Sequence, residues 1–442
     1  MTPQTVDLIL SAAWILPIAP KPNPLPNCSL VIDDGKIIAL VPSHHIANSY
    51  IAKEHIELGN KVLMPGLVNA HGHAAMSLLR GFADDLPLMR WLEDHIWPAE
   101  QQWVDADFVA DGTQLAIAEM LKTGTTCFSD MYFFPEAAAE VVHKSGIRAQ
   151  LAFPILDFPT PWAKDPDQAI SQGLALRDAY SGHSRISIAF GPHAPYTVSD
   201  TVFERIAMLS AELDAPVQVH LHETQGEVDT ALANHGERPI ARLHQLGLLT
   251  PRTQCVHMTA LNDDDIQLIA QNGASVVHCP KSNLKLASGL CPTQALLDAG
   301  ITLGLGTDGA ASNNGLDMFS ELQTSALIGK ITANNAEAIS AFNALHMATL
   351  GSAKALGLDD QIGSLEVGKA ADVIAIDLDS LDNLPHYNLA SLLVYCQQGH
   401  NVSHVWVEGK CLLNNKQLTT LNLLTLQQNT RAWQDKIKGV YA

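Results

Sequence analysis

Five apolar runs along this chain end in residues that bind metals or move protons. Val68-Asn69-Ala70 leads into His71-Gly72-His73, and Ile188-Ala189-Phe190 leads into Gly191-Pro192-His193. Val217-Gln218-Val219 leads into His220-Leu221-His222-Glu223, Cys255-Val256 into His257, and Leu303-Gly304-Leu305-Gly306 into Thr307-Asp308. His71 and His73 are two apart, so on a strand their imidazoles point the same way and can share an ion. With His220 and Asp308 they make three neutral nitrogens and one carboxylate. That set suits a catalytic divalent ion, zinc above all, with a position left for a water whose pKa the ion lowers. Iron or manganese would accept the same donors. His222 shares strand parity with His220, so it competes for the ligand position or forms the pocket wall. Glu223 stands where a strand end bends into its loop, within reach of a bound substrate for proton transfer. His257, at another strand end, is placed to polarise the attacking water.

Other polar residues read more plainly. Most of the 19 histidines lie in helical, loop or terminal β contexts and are ordinary surface or core residues. Cys279 follows His278 and is read as packing, since hydrolysis at a metal needs no thiol. Trp91, Trp97 and Trp103 fall in the first long loop region, where they either stack on a flat ring or pack in the core.

Side chains converging from five strand ends need a frame that gathers strand ends. Candidate strands lie near residues 67–73, 125–130, 147–153, 186–193, 217–222, 254–257, 274–278 and 302–308, and helical stretches separate them. One such helix is expected from Asp107 to Thr123, with Gly124 as its stop. Eight βα units predict an α/β fold, a (β/α)8 TIM barrel over residues 64–362, whose catalytic groups sit at the C-terminal strand ends. Residues 1–63 and 363–442 read as β. Leu30-Val31-Ile32 and Ile37-Ile38-Ala39-Leu40 flank Asp34-Gly35 as a hairpin, and Ala371 to Ile376 and Val405-Trp406-Val407 form later strands. Neither end has enough strands alone, so the two termini are expected to build one small β-sandwich domain together.

Composition narrows the partners. Basic residues number 26 against 46 acidic ones, a net charge of −20. Such a surface repels nucleic-acid backbones and anionic membranes, which leaves a small neutral or cationic substrate. The seven cysteines are odd in number, widely spaced and free of any CxxC, as expected for reduced thiols in the cytoplasm. The apolar run Leu8 to Leu16 is too short to span a bilayer and reads as a strand.

Several motifs resemble those of the amidohydrolase superfamily. They are Pro65-Gly66-Leu67-Val68-Asn69-Ala70-His71-Gly72-His73, His220-Leu221-His222-Glu223-Thr224, Ser282 through Gly289, Gly306 through Asn314, and Gly363 through Asp372. The resemblance covers nearly the whole chain. It falls in the aminohydrolase branch shared with triazine hydrolases and is closest to the 5'-methylthioadenosine/S-adenosylhomocysteine deaminases. It implies hydrolytic deamination of an adenine nucleoside, with Asp308 binding the metal and taking a proton from the attacking water. Glu223 would protonate the ring nitrogen and His257 would orient the water. Glu100 would hold the ribose hydroxyls, and His193 would stand beside the substrate. A homodimer or higher homo-oligomer is usual among such enzymes. Two-metal relatives carry a bridging lysine at the fourth strand end; Arg185 to His193 contains none, which implies one metal per subunit. Relatives that accept S-adenosylhomocysteine use an arginine after the third strand. Leu156 to Lys164 has none here, so methylthioadenosine is the expected substrate, with S-adenosylhomocysteine or adenosine further ones. Competing readings are a free base, a pterin or an s-triazine as substrate, or a non-enzymatic scaffold; the full ligand set argues against the last.

Overall fold

The computed structural model describes residues 3–396 and 398–441. Five strands come first: Gln4–Ile15 (β1), Leu25–Asp33 (β2), Lys36–Pro42 (β3), Tyr50–Glu57 (β4) and Lys61–Pro65 (β5). Eight more alternate with helices: Leu67–Asn69 (β6), Thr125–Asp130 (β7), Arg148–Ile155 (β8), Ile186–Pro192 (β9), Val217–Leu221 (β10), Thr253–His257 (β11), Ser275–His278 (β12) and Leu303–Leu305 (β13). The last are Val373–Asp377 (β14), Val402–Val407 (β15), Lys410–Asn414 (β16) and Gln417–Leu418 (β17).

Strands β6 to β13 pair in chain order, each parallel to the next. The ring closes where the Ala70 N–H donates to Leu305 O at 2.8 Å. This is the expected (β/α)8 barrel. The strands are buried along almost their whole length, as helices on the outside and side chains within require. The helix expected at Asp107–Thr123 spans Ala106–Lys122. Asp105 caps it by accepting the Phe108 N–H at 2.8 Å, and Gly124 at φ +90° ends it.

The remaining strands form a second, mixed sheet drawn from both chain ends. Its order is β17-β16-β15-β14-β5-β1-β2-β3, with β4 also paired to β1. β14, from the late part of the chain, lies antiparallel to the early β5 and so joins the two ends. The β2–β3 hairpin turns at Asp34-Gly35, both at positive φ, which is the turn that matches strand twist. A buried ion pair ties this sheet to the barrel floor. Arg148, the first residue of β8, donates through Nε to Asp372 Oδ2 at 2.9 Å, and both side chains are 2% exposed.

One element departs from the expectation of a wholly β terminus. The helix Leu423–Tyr441 returns to the barrel and packs on the helix Ala106–Lys122. Trp433 meets Phe108 edge-on at 5.2 Å and donates its Nε1–H to Asp111 Oδ2 at 2.9 Å. All seven cysteines are free, and Cys279 is fully buried, in keeping with a packing role.

Candidate metal centre and active site

The predicted donors meet at the C-terminal mouth of the barrel, though not by the route strand parity suggested. β6 stops at Asn69 and β13 at Leu305, so His71, His73 and Asp308 stand on the bends that follow. Two close approaches fix those bends. The Asn69 side chain accepts the Thr307 N–H at 2.9 Å and donates to Thr307 Oγ1 at 2.7 Å, tying the first strand end to the last. The Asp308 N–H then donates to His71 O at 3.0 Å, with Asp308 at φ +61°. Gly306 is required there, because a Cβ would stand 2.8 Å from His71 O and 2.9 Å from His71 N.

Each of the three histidines donates its Nδ1–H to a fixed oxygen. His71 donates to Gln218 Oε1 at 2.8 Å, His73 to Met131 O at 2.7 Å and His220 to His193 O at 2.8 Å. With the proton on Nδ1, the Nε2 lone pair is the one offered to a metal; burial disfavours a charged His73 ring, but Asp308 beside it raises that ring to about 9, so an ion displaces a proton there. These lone pairs converge. His71 Nε2 lies 3.2 Å from His220 Nε2, and Asp308 Oδ1 lies 3.2 Å from His73 Nε2 and 3.6 Å from His71 Nε2. Unprotonated nitrogens this close repel one another unless a cation lies between them, so the donor set fits a divalent ion. His71, His73 and Asp308 form one compact donor group, and His71, His220 and His257 form a second that shares His71. Burial pushes His71 down to about 4, which keeps its ring neutral and free to ligate. Burial alone would raise Asp308, but His71 and His73 beside it hold the carboxylate well below its ordinary range.

His222 is excluded from this group by its backbone. β10 ends at Leu221 and His222 adopts φ +51°, so strand parity fails where it was needed. Its ring turns away, pairing Nδ1 with Ala260 O at 3.0 Å and accepting the Ile240 N–H on Nε2 at 3.1 Å. Both nitrogens are occupied, and the residue latches the loop. The same turn sends Glu223 inward. Glu227 accepts the N–H groups of His222 and Glu223 at 3.0 and 2.7 Å, and Thr259 Oγ1 donates to Glu223 O at 2.7 Å. Burial, reinforced by the nearby Asp308 charge, pushes the Glu223 carboxyl up to about 8. It therefore carries a proton near neutral pH and can give it up, as an acid catalyst must. His257 Nε2 lies 3.7 Å from Glu223 Oε2.

Beside these groups a cavity is walled by Trp91, Trp97, Glu100, Tyr132, Leu156 and His193. Trp91 and Trp97 are thus placed for stacking, while Trp103 sits beneath Lys436 on the outer helix. Glu100 is 6% exposed, and burial pushes its carboxyl up to about 7, partly offset by the Tyr132 hydroxyl beside it. His193 bonds Thr197 Oγ1 through Nδ1 at 3.0 Å and otherwise faces the cavity. The mouth widens into an outer cavity of about 660 Å³, lined by Leu88, Asp157, Phe158, Tyr196 and Thr224. Loops that line the inner cavity with Leu156, His193 and Glu223 continue directly into this outer one.

Sequence reading assigned no role to Gln218, Ser282, Asn283 or Ser288. Gln218 precedes His220 by two residues and shares its strand face, which is the one local signal of its position. Its Nε2 donates to Gln254 Oε1 at 2.7 Å, and Gln254 donates to Gln150 Oε1 at 2.8 Å, so a chain of amides crosses the barrel under His71.

Known proteins share this fold and much of this sequence. Residues 62–412 match the model of the amidohydrolase family. The chain is 55% identical to a 5-methylthioadenosine/S-adenosylhomocysteine deaminase of Teredinibacter turnerae, over 98% of both chains. It superposes on a zinc-bound adenosine deaminase of Xanthomonas campestris with a TM-score of 0.97 and 47% identity, covering 99% of this chain and 100% of that one. A zinc-bound atrazine chlorohydrolase of Arthrobacter aurescens gives a TM-score of 0.90 at 25% identity, covering 96% of this chain and 99% of that one.

Proposed function

Because this chain belongs to the amidohydrolase family, we propose that it is a metal-dependent aminohydrolase that deaminates adenine nucleosides, 5'-methylthioadenosine foremost. The overall reaction replaces the C6 amino group with the oxygen of water and yields ammonia and an inosine-type nucleoside. The observation that carries this reading is the conjunction of two features in one cavity. Three histidines tethered through Nδ1 converge, His71 and His73 on Asp308 and His220 on His71, and the buried Glu100 carboxyl stands on the same cavity wall. The first feature suits hydrolysis, and the second suits a vicinal diol, which a free base lacks.

His71, His73, His220 and Asp308 would hold one ion, zinc by the chemistry of its donors. When bound, the ion supplies Lewis acidity and lowers the pKa of water. The proteinaceous steps follow from position. Asp308 is held as the anion and receives the proton that water gives up. Glu223 is protonated near neutral pH and delivers its proton to the ring nitrogen next to C6, so that the ring accepts electrons as water adds. His257 orients the water, and Glu100 accepts hydrogen bonds from the two ribose hydroxyls. His193 borders the purine.

The absence of a carboxylate anchor supports the methylthio substrate over one with an amino-acid tail. Among the described residues lining the two cavities, the arginine is Arg242. Its Nε donates to Asp200 at 2.6 Å and its Nη1 to Pro195 O at 2.8 Å, so it is committed to the fold. Leu156 and Phe158 offer apolar surface instead, with Phe158 edge-on to Trp97 at 6.1 Å.

The reading divides the chain into a barrel at residues 64–362 and a β-domain from residues 1–63 and 363–442. It also includes assembly as a homodimer or higher oligomer in the cytoplasm. Among the described residues no helix is long and apolar enough to cross a membrane. Comparing turnover of adenine nucleosides with that of adenine and guanine tests the function. Preference for the free bases would refute it.

A further inference from the structure

The segment Ser282 to Gly289 was conspicuous as a motif, yet none of its residues serves as ligand or proton carrier in the reading above. The structure places one of its polar side chains on each of the three proton-handling groups. Ser282 Oγ donates to Asp308 Oδ2 at 2.6 Å, Asn283 Nδ2 lies 3.0 Å from His257 Nδ1, and Ser288 Oγ donates to Glu223 Oε1 at 3.2 Å. Ser282 and Asn283 belong to the short helix Pro280–Lys285, and Ser288 lies on the turn that follows it. That turn is locked in place. Ala287 takes φ +52° and Gly289 φ +142°, and a Cβ on Gly289 would stand 2.5 Å from Thr259 Oγ1. Thr259 Oγ1 itself bonds both Glu223 O and Ser288 O.

We propose that Asn283 is a positioning residue that holds His257 as the tautomer protonated on Nε2. This rests on the reading of His257 as the group that orients water. A neutral imidazole has one ring proton, so the partner of one nitrogen decides the state of the other. Asn283 and His257 are each 1% exposed, which leaves no solvent to compete at Nδ1. When the amide N–H donates to Nδ1, the proton must sit on Nε2. Nε2 lies 3.7 Å from Glu223 Oε2, and the Asp308 charge acts on the ring. With the amide reversed, Nδ1 would carry the proton and Nε2 would be a bare lone pair in a site that holds the Asp308 anion. The electrostatics favour the first arrangement. His257 then acts toward water as a hydrogen-bond donor and does not take its proton, which leaves that step to Asp308.

Asn283→Asp and Asn283→Leu separate positioning from packing. Aspartate is isosteric, and as the anion it can only accept at Nδ1, so it draws the ring proton there. Leucine removes the bond and leaves the tautomer to the carboxyl groups. The expected result is a fall in kcat on the order of 10²–10⁴-fold for Asn283→Asp, the scale of a misplaced proton or lost electrostatic donor. Asn283→Leu should lose about tenfold, and KM and metal content should stay near wild type in both. A merely structural Asn283 predicts the reverse order, since aspartate is the more conservative change; that order would overturn the proposal. Neutron diffraction of the deuterated wild-type holoenzyme reads the tautomer without any variant. A deuteron on Nε2 of His257 supports the assignment, and one on Nδ1 overturns it. This measurement stands even if the wild type deaminates no nucleoside, an outcome that would instead refute the proposed function.

Discussion

Replacing Glu100 by glutamine should weaken catalysis and strengthen the fold at the same time. The carboxyl is 6% exposed and burial pushes it up to about 7 from an ordinary 4.5. Below about 4.5 it is protonated in both folded and unfolded chains and costs nothing. Between about 4.5 and 7 the folded protein retains a proton that the unfolded chain releases, so stability falls as pH rises through this window. The shift of roughly 2.5 units corresponds to a total of about 3 kcal/mol by pH 8. Glu100→Gln removes that cost. Its Tm should exceed wild type by roughly 3 °C at pH 8 and match it at pH 4, given an unfolding entropy scaled to this length. Activity moves the other way. Bonds to a charged acceptor are about twice as strong as neutral ones, so two ribose hydroxyls lose about 2–3 kcal/mol together, roughly 30- to 150-fold in kcat/KM. The same variant should lose almost nothing against a 2',3'-dideoxy nucleoside. Calorimetric scans at both pH values and kcat/KM on both substrates complete the comparison. Equal losses on the two nucleosides, or a Tm gain that ignores pH, would refute the reasoning.

Three further outcomes are expected. Arg148→Met leaves Asp372 buried without its partner at the barrel floor and should cost about 3–5 kcal/mol in denaturant unfolding, with kcat of the folded enzyme unchanged. Gly306→Ala drives a Cβ to 2.8 Å from His71 O, a contact no side-chain rotation relieves. It should destabilise the protein by about 1–3 kcal/mol and release metal at lower chelator concentration than wild type. Methylthioadenosine should exceed S-adenosylhomocysteine in kcat/KM by roughly 10- to 150-fold, the worth of one missing charged hydrogen bond, and equal turnover would remove the argument from Arg242.

The site was legible in the sequence because barrels place chemistry at strand ends, where an apolar run breaking into His71, His220 or Asp308 is conspicuous. Parity gave less. It treated His71 and His73 as strand residues, whereas β6 stops at Asn69 and backbone contacts across the barrel closure aim both rings. It left His220 and His222 as rivals because no pattern in the sequence announces φ +51° at His222. The residues that fix protons on the histidines of the site were illegible for another reason. Gln218 acts on His71, 147 positions away, and Asn283 on His257 across a barrel loop, so each gains meaning after the ring closes. The helix Leu423–Tyr441 was missed because its apolar contacts to the barrel, such as Trp433, are spaced among many polar residues.

Ammonia release from 5'-methylthioadenosine by the purified, zinc-loaded protein tests the central claim most directly, with bound metal counted in the same sample. One ion per chain and stoichiometric ammonia with the inosine-type product are predicted, both lost in His220→Ala. A fully loaded wild type that releases no ammonia, or a metal-free wild type that releases it at full rate, would contradict the account.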